Sequence, residues 1–141
     1  MPLVTISVPA HRPAAWRKQV ANLVNAAVIE TLDFPADDRY QLLQCLPAED
    51  MELQQRSGDA VVLQLTMRAG RPIEAKQAFY RRIAEDLRLH ADIDPANVMI
   101  VITENRDADW SFSDGVAQFL EESDVPAGCF FRPERETSPV S

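Results

Sequence analysis

The chain has 141 residues, of which 46% are hydrophobic and 26% charged. That composition fits one globular domain able to bury roughly two thirds of the surface its unfolded chain exposes. It excludes a largely disordered chain and a coiled coil, and no apolar run reaches the roughly 18 residues of a membrane helix. Acidic residues outnumber basic ones, 22 to 14, for a net charge of -8. A nucleic-acid partner is therefore not expected, because a phosphate backbone is held by clustered Lys and Arg. A small anionic substrate stays compatible with this charge, since one or two buried arginines override the global field locally.

The opening MPLVTISVPAHRP has no basic region leading into an apolar one, so no signal peptide is expected. Cys45 and Cys129 form no CxxC pair, and His11 and His90 are the only histidines. No zinc-type ligand set can be assembled from these, so neither metal nor cofactor is expected. A reduced, cytoplasmic compartment is the default.

In chain order, residues 2–8 (PLVTISV) are β-branched and apolar and read as a buried strand. Pro13 suits the first turn of a helix. From there Val20, Leu23, Val24, Ala27, Val28 and Leu32 recur at three- and four-residue steps, predicting an amphipathic helix that ends near Asp33. FPADD at 34–38 is a turn, and 40–46 (YQLLQCL) is a strand. The polar stretch 47–59 reads as a loop. Residues 61–67 (VVLQLTM) alternate as a half-buried strand does. Gly70-Arg71-Pro72 turns the chain into a second helix, carried by Phe79, Ile83 and Leu87 and reaching about His90. DPAN at 94–97 is a turn, and 98–103 (VMIVIT) is a fourth strand. Residues 104–119 mix acids with Trp110, Phe112 and Phe119. The proline-bearing stretch 121–141 is a tail that wraps a neighbour or is loose at its end.

The order predicts an α/β chain with a single domain over 1–141. Residues 2–46 and 61–103 use the same βαβ unit twice, each with parallel strands and a right-handed crossover. Together they give a four-stranded mixed sheet with two helices on one face. The other face is left uncovered. Because strands such as VMIVIT need cover on both sides, that face is expected to pack on other subunits.

Several residues can carry chemistry. Pro2 follows the initiator methionine. If Met1 is removed, Pro2 becomes a free secondary amine at a strand head, able to act as base, acid, iminium-forming nucleophile or cationic polariser of a carbonyl. Alone the signal is weak, because many chains begin Met-Pro. Asp38, between helix and strand, can orient water or accept a proton, although a lone turn acid is more commonly just solvated, as Asp37 is read to be. Arg71 lies at a helix start, where backbone N–H groups favour an anion and its planar fork can hold a carboxylate. The plainer reading is a surface Arg paired with an acid. Arg68 is a second candidate with less support. Trp110, Phe112 and Phe119 can line a water-excluding pocket, though aromatics at such spacing are more often core or interface. His11 and His90 read as surface residues.

Taken together, the MPL start, DDRYQ at 37–41, GRPIEAKQAFY at 70–80 and ITENRDADWSFSDGVAQFL at 102–120 resemble the tautomerase superfamily, and within it the malonate semialdehyde decarboxylase-like group. The likeness runs from Pro2 to about Leu120. It implies two βαβ units, a homotrimer, and a pocket near a subunit boundary. Pro2 matches the catalytic proline, Asp38 the catalytic aspartate and Arg71 the arginine that binds the substrate carboxylate. Trp110, Phe112, Phe119 and Leu120 match the hydrophobic wall. One departure is Ala69, which stands where some of these decarboxylases carry the first arginine of an R-x-R pair; it bears on the substrate more than on the chemistry. The implied function is cofactor-independent decarboxylation of a small 3-oxo acid. The alternatives are a keto–enol tautomerase, a hydratase or dehalogenase of a small unsaturated acid, and a non-catalytic trimeric binding protein.

Overall fold

The computed structural model describes residues 2–54, 56 and 59–121. Its chain divides into two compact units, Met1–Glu104 and Asn105–Ser141. The tail expected at 121–141 lies, beyond Glu121, outside the described residues.

In the first unit, strands β1 (Leu3–Pro9), β2 (Tyr40–Leu46), β3 (Val61–Arg68) and β4 (Val98–Asn105) form one sheet in the order β2-β1-β3-β4. β1 runs parallel to β2, from Leu3 opposite Tyr40 to Pro9 opposite Leu46. It runs antiparallel to β3, from Leu3 opposite Thr66 to Ser7 opposite Val62. The sheet is therefore mixed, as expected. β2 has the expected bounds, while β3 runs on through Arg68 and β4 through Asn105. Their polar ends continue the ladder because successive side chains alternate faces, and one face here accepts polar groups. The segment expected as a plain loop contains a 3-10 turn, Ala48–Asp50, in which Asp50 N donates to Pro47 O (2.9 Å).

Helices α1 (Ala14–Leu32) and α2 (Ile73–Ala91) are built alike. Each starts behind an extended proline, Pro13 or Pro72, and each stops at an aspartate in the left-handed region, Asp33 (φ 60°) or Asp92 (φ 58°). α1 buries Trp16, Val20, Ala21, Val24, Ala27, Val28 and Leu32, while α2 buries Phe79, Ile83, Leu87 and Ala91. These stripes join Val4, Ile6 and Val8 of β1 and Val61, Leu63, Leu65 and Met67 of β3 in one core, with Val98, Ile100 and Ile102 of β4 against it. The alternate residues Leu3, Leu42, Met99 and Val101 stay substantially exposed. Burial on one sheet face only is what the alternation in VVLQLTM encodes.

At one end of the helical layer, Arg12, just before α1, closes the far end of α2. Its Nη2 reaches Asp92 O at 3.5 Å, and its guanidinium carbon lies 4.7 Å from the centre of the Trp16 ring. Trp16 Nε1 donates to Ala91 O (2.8 Å). Asp59 accepts from Arg12 Nε at 3.2 Å and lies 3.1 Å from His11 Nε2. His11 is thus an exposed surface partner, as read from the sequence.

Candidate active site

The opposite end of the layer is where β1 and β2 begin and β3 ends. Pro2 is buried there, immediately before Leu3, whose sheet partners are Tyr40 and Thr66. Asp38 arrives through the turn 35–38, closed by its own N–H donating to Pro35 O (3.1 Å), and its side chain is half-buried. The head of β2 is pinned to α1: Arg39 Nη2 donates to Asn22 Oδ1 (2.9 Å) and Gln41 Nε2 to Ala21 O (2.9 Å). Because Arg39 and Gln41 turn toward α1, strand alternation sends Tyr40 to the other face, the one that also carries Leu3. Burial, and secondarily the negative charge of Asp38, hold the Tyr40 phenol above its ordinary pKa.

Arg71 enters from the β3–α2 connection. Gly70 bends the chain there at φ 133°, a conformation open mainly to glycine. Arg71 Nε donates to Leu32 O (2.8 Å) and Nη2 to Asp33 O (3.2 Å), so the guanidinium closes the last turn of α1. Its carbon sits 3.8 Å from the centre of the Phe34 ring. Burial draws the Arg71 pKa down; Asp33 and Asp38 oppose this, and Arg68 adds to it. An arginine starts so far above neutrality that it stays cationic. Asp38 therefore lies within electrostatic reach of both Arg71 and Tyr40. Arg68 is within reach of Arg71, although it ends β3 on the face opposite Met67. Ala69 is exposed beside it.

The second unit holds the aromatic residues. Trp110 and Phe112 stack with centres 5.4 Å apart at 13°, and Phe119 meets both edge-on, at 6.3 and 5.3 Å. Short-range hydrogen bonds tie the Trp110 ring and the backbone beside Phe112. Trp110 Nε1 donates to Asn105 Oδ1 (2.7 Å), Phe112 N to Gln118 Oε1 (2.9 Å) and Gln118 Nε2 to Ser113 O (3.1 Å). Phe119 is buried in helix α3 (Gln118–Glu121), whereas its neighbour Leu120 is 51% exposed.

The structure thus gathers Asp38 and Arg71 around the strand end that Pro2 begins, and separately gathers Trp110, Phe112 and Phe119. Sequence reading did not single out Phe34 or Tyr40. The signal for both was the position of an aromatic residue beside a turn, directly after a helix end and directly before a strand.

A family described as "Tautomerase enzyme" matches residues 38–113, a stretch that includes Asp38, Arg71, Trp110 and Phe112. The chain belongs to this family. A probable tautomerase of Bacillus subtilis (strain 168), YrdN, is 36% identical over 126 residues, covering 85% of this chain and 97% of the relative. A crystal structure of FG41 malonate semialdehyde decarboxylase inhibited by 3-bromopropiolate superposes with a TM-score of 0.79 at 34% identity, covering 88% of this chain and 99% of that one. A second malonate semialdehyde decarboxylase, solved in wild-type, mutant and inactivated forms to explain decarboxylase and hydratase activities, superposes equally well, at 0.79 and 31% identity, over 88% of this chain and 99% of its own. The tautomerase fold and an enzymatic role follow. Among the described residues, no helix is long and apolar enough to cross a membrane.

Proposed function

We propose that this tautomerase-family enzyme decarboxylates a small 3-oxo acid such as malonate semialdehyde, without a cofactor and as a cytoplasmic homotrimer. The observation that carries the reading is Arg71: a half-buried, permanently charged fork, braced against α1 beside Asp38, at the sheet end where buried Pro2 begins. Such a group orients a carboxylate. The exposed apolar side chains Leu3, Leu42, Met99 and Val101 support packing of the sheet against neighbouring subunits.

With Met1 removed, Pro2 offers its secondary amine. As a cation it hydrogen-bonds the aldehyde oxygen; as a neutral amine it condenses with the aldehyde carbon to an iminium, releasing water. Either accepts the electron pair freed when the C–C bond to the carboxylate breaks and CO2 leaves. A proton then returns to the carbon, giving acetaldehyde directly on the hydrogen-bonded route; on the iminium route it gives the iminium of acetaldehyde, which water hydrolyses to release acetaldehyde and free Pro2. Arg71 holds the departing carboxylate so that its C–C bond stands perpendicular to the carbonyl plane. Family resemblance assigns an apolar wall to Trp110, Phe112, Phe119 and Leu120, and Asp38 orients Pro2 or a water. A neutral Pro2 acting as base gives keto–enol tautomerisation instead, the reading that the relatives' name favours. With Asp38 activating a water, the same groups hydrate a small unsaturated acid.

The test is acetaldehyde release from malonate semialdehyde by wild type and Pro2→Ala, with intact mass reporting whether Met1 is gone. Pro2→Ala is expected to lose at least roughly hundredfold in rate, the lower range for a general acid or base. Activity retained by Pro2→Ala, or an intact mass that includes Met1 on an active enzyme, excludes the mechanism.

A further inference from the structure

A guanidinium has two edges that can take a carboxylate with two parallel bonds: a side edge made of Nε and one Nη, and an end edge made of both Nη groups. In Arg71 the side edge is occupied, because Leu32 O accepts from Nε at 2.8 Å and Asp33 O accepts from Nη2 at 3.2 Å. One flat face is covered too, by the Phe34 ring at 3.8 Å. Phe34 is itself only 6% exposed and belongs to the core of the first unit, so this platform does not shift with the solvent. The left-handed turn at Asp33 (φ 60°) is what returns the chain so that Phe34 follows the last helical carbonyls.

We infer that Phe34 is the positioning residue of Arg71 and that the substrate carboxylate is taken on the Nη1–Nη2 edge alone. The assignment rests on the proposed role of Arg71 in binding an acid and names the geometry that role requires. The carbonyls at the C-terminal end of α1 carry partial negative charge and favour the cation. The ring face attracts the same cation, more strongly where water is excluded. Carbonyls and ring together fix the plane of the fork, so the outer edge points one way before any ligand arrives. A lysine at this position is a single point charge and cannot satisfy the two carbonyls and a carboxylate together.

The test reads the Arg71 Nε–H in nitrogen-15-labelled protein, identified as the side-chain signal missing from Arg71→Lys. The signal is expected upfield, from the ring beneath it, and slow to exchange with water. Adding malonate, an unreactive dicarboxylate, is expected to shift the Arg71 Nη signals and leave Nε–H protected. Loss of that protection on adding malonate overturns the edge assignment. Kinetics read the platform: Phe34→Leu is expected to raise KM for malonate semialdehyde roughly tenfold with kcat nearly unchanged, as removal of uniform binding does. Phe34→Tyr, which keeps the ring, is expected to restore KM. A KM unmoved in Phe34→Leu, or raised equally in Phe34→Tyr, overturns the positioning role. The malonate titration needs no Phe34 variant and no turnover, so an inactive wild type excludes the decarboxylase while leaving this inference to its own result.

Discussion

The two ends of the helical layer use the same brace with different partners. At each end an arginine that precedes a proline-started helix reaches the left-handed aspartate closing the other helix: Arg12 to Asp92 and Arg71 to Asp33. Each guanidinium also lies over an aromatic ring, Trp16 or Phe34. What differs is the acid. Arg12 is paired with a carboxylate of its own chain, Asp59, which His11 also approaches. Arg71 bonds to backbone carbonyls, and Asp33 and Asp38 act on it through charge. A brace already holding a carboxylate serves the fold alone. A brace held by neutral carbonyls can serve the fold and still present its charge to a ligand.

The sharpest way to break this comparison is to truncate both arginines. Arg71→Ala is expected to raise KM for the acid roughly ten- to hundredfold, the loss of a charge-assisted bond of about 1.5–3 kcal/mol. Arg12→Ala should leave KM alone and cost about 1 kcal/mol of stability, the scale of a partly exposed ion pair with a stacked ring. Steady-state kinetics and denaturant midpoints measure both. Equal loss of substrate binding in the two variants removes the distinction.

A smaller effect tests the shared part. Asp33→Gly and Asp92→Gly each place the residue that best tolerates a positive φ at a helix end, and each is expected to stabilise by up to about 1 kcal/mol. If thermal melts show either one destabilising, that aspartate side chain contributes more than its backbone angle.

The smallest effect concerns charge at the Arg71 end. Tyr40 has a raised pKa, so the fold favours its neutral form. Its contribution to stability is fully present below the ordinary tyrosine value near 10 and is lost as pH rises through the higher folded value. In a Tyr80→Phe background, which leaves Tyr40 as the only tyrosine, phenolate absorbance should appear later than in an unfolded chain. Asp38→Asn should move it down without abolishing the shift, because burial is the larger cause. A titration at the ordinary position refutes the burial of that phenol.

Most of the frame was legible because its signals are local. The prolines at 13 and 72, the stripes of Val, Ala and Leu, and the alternation in VVLQLTM fix elements by period alone. The first parallel pair and the mixed sheet followed from their order. Strand ends were less legible: Arg68 and Asn105 are polar, and only the neighbouring strand makes them part of a ladder. At the site, Asp38, Arg71 and the aromatic trio stand out by residue type and by motif resemblance, and the trio's ring contacts span at most nine residues. Phe34 reads as part of a turn, because the residue that makes it a platform lies 37 positions later. Arg12 likewise carries little local signal, because Asp59 and Asp92 lie far along the chain. The repeated Arg-Pro pair at 12–13 and 71–72 was the available clue.

The crossed fastening of α1 and α2 has a consequence for motion. A helix end usually frays alone, yet here the last carbonyls of each helix are tied to the residue that launches the other. Opening one end therefore releases the start of its partner as well. The two helices are expected to lose their amide protection together, as a single cooperative unit, and the arginine proposed to hold the substrate carboxylate sits on the latch of that unit.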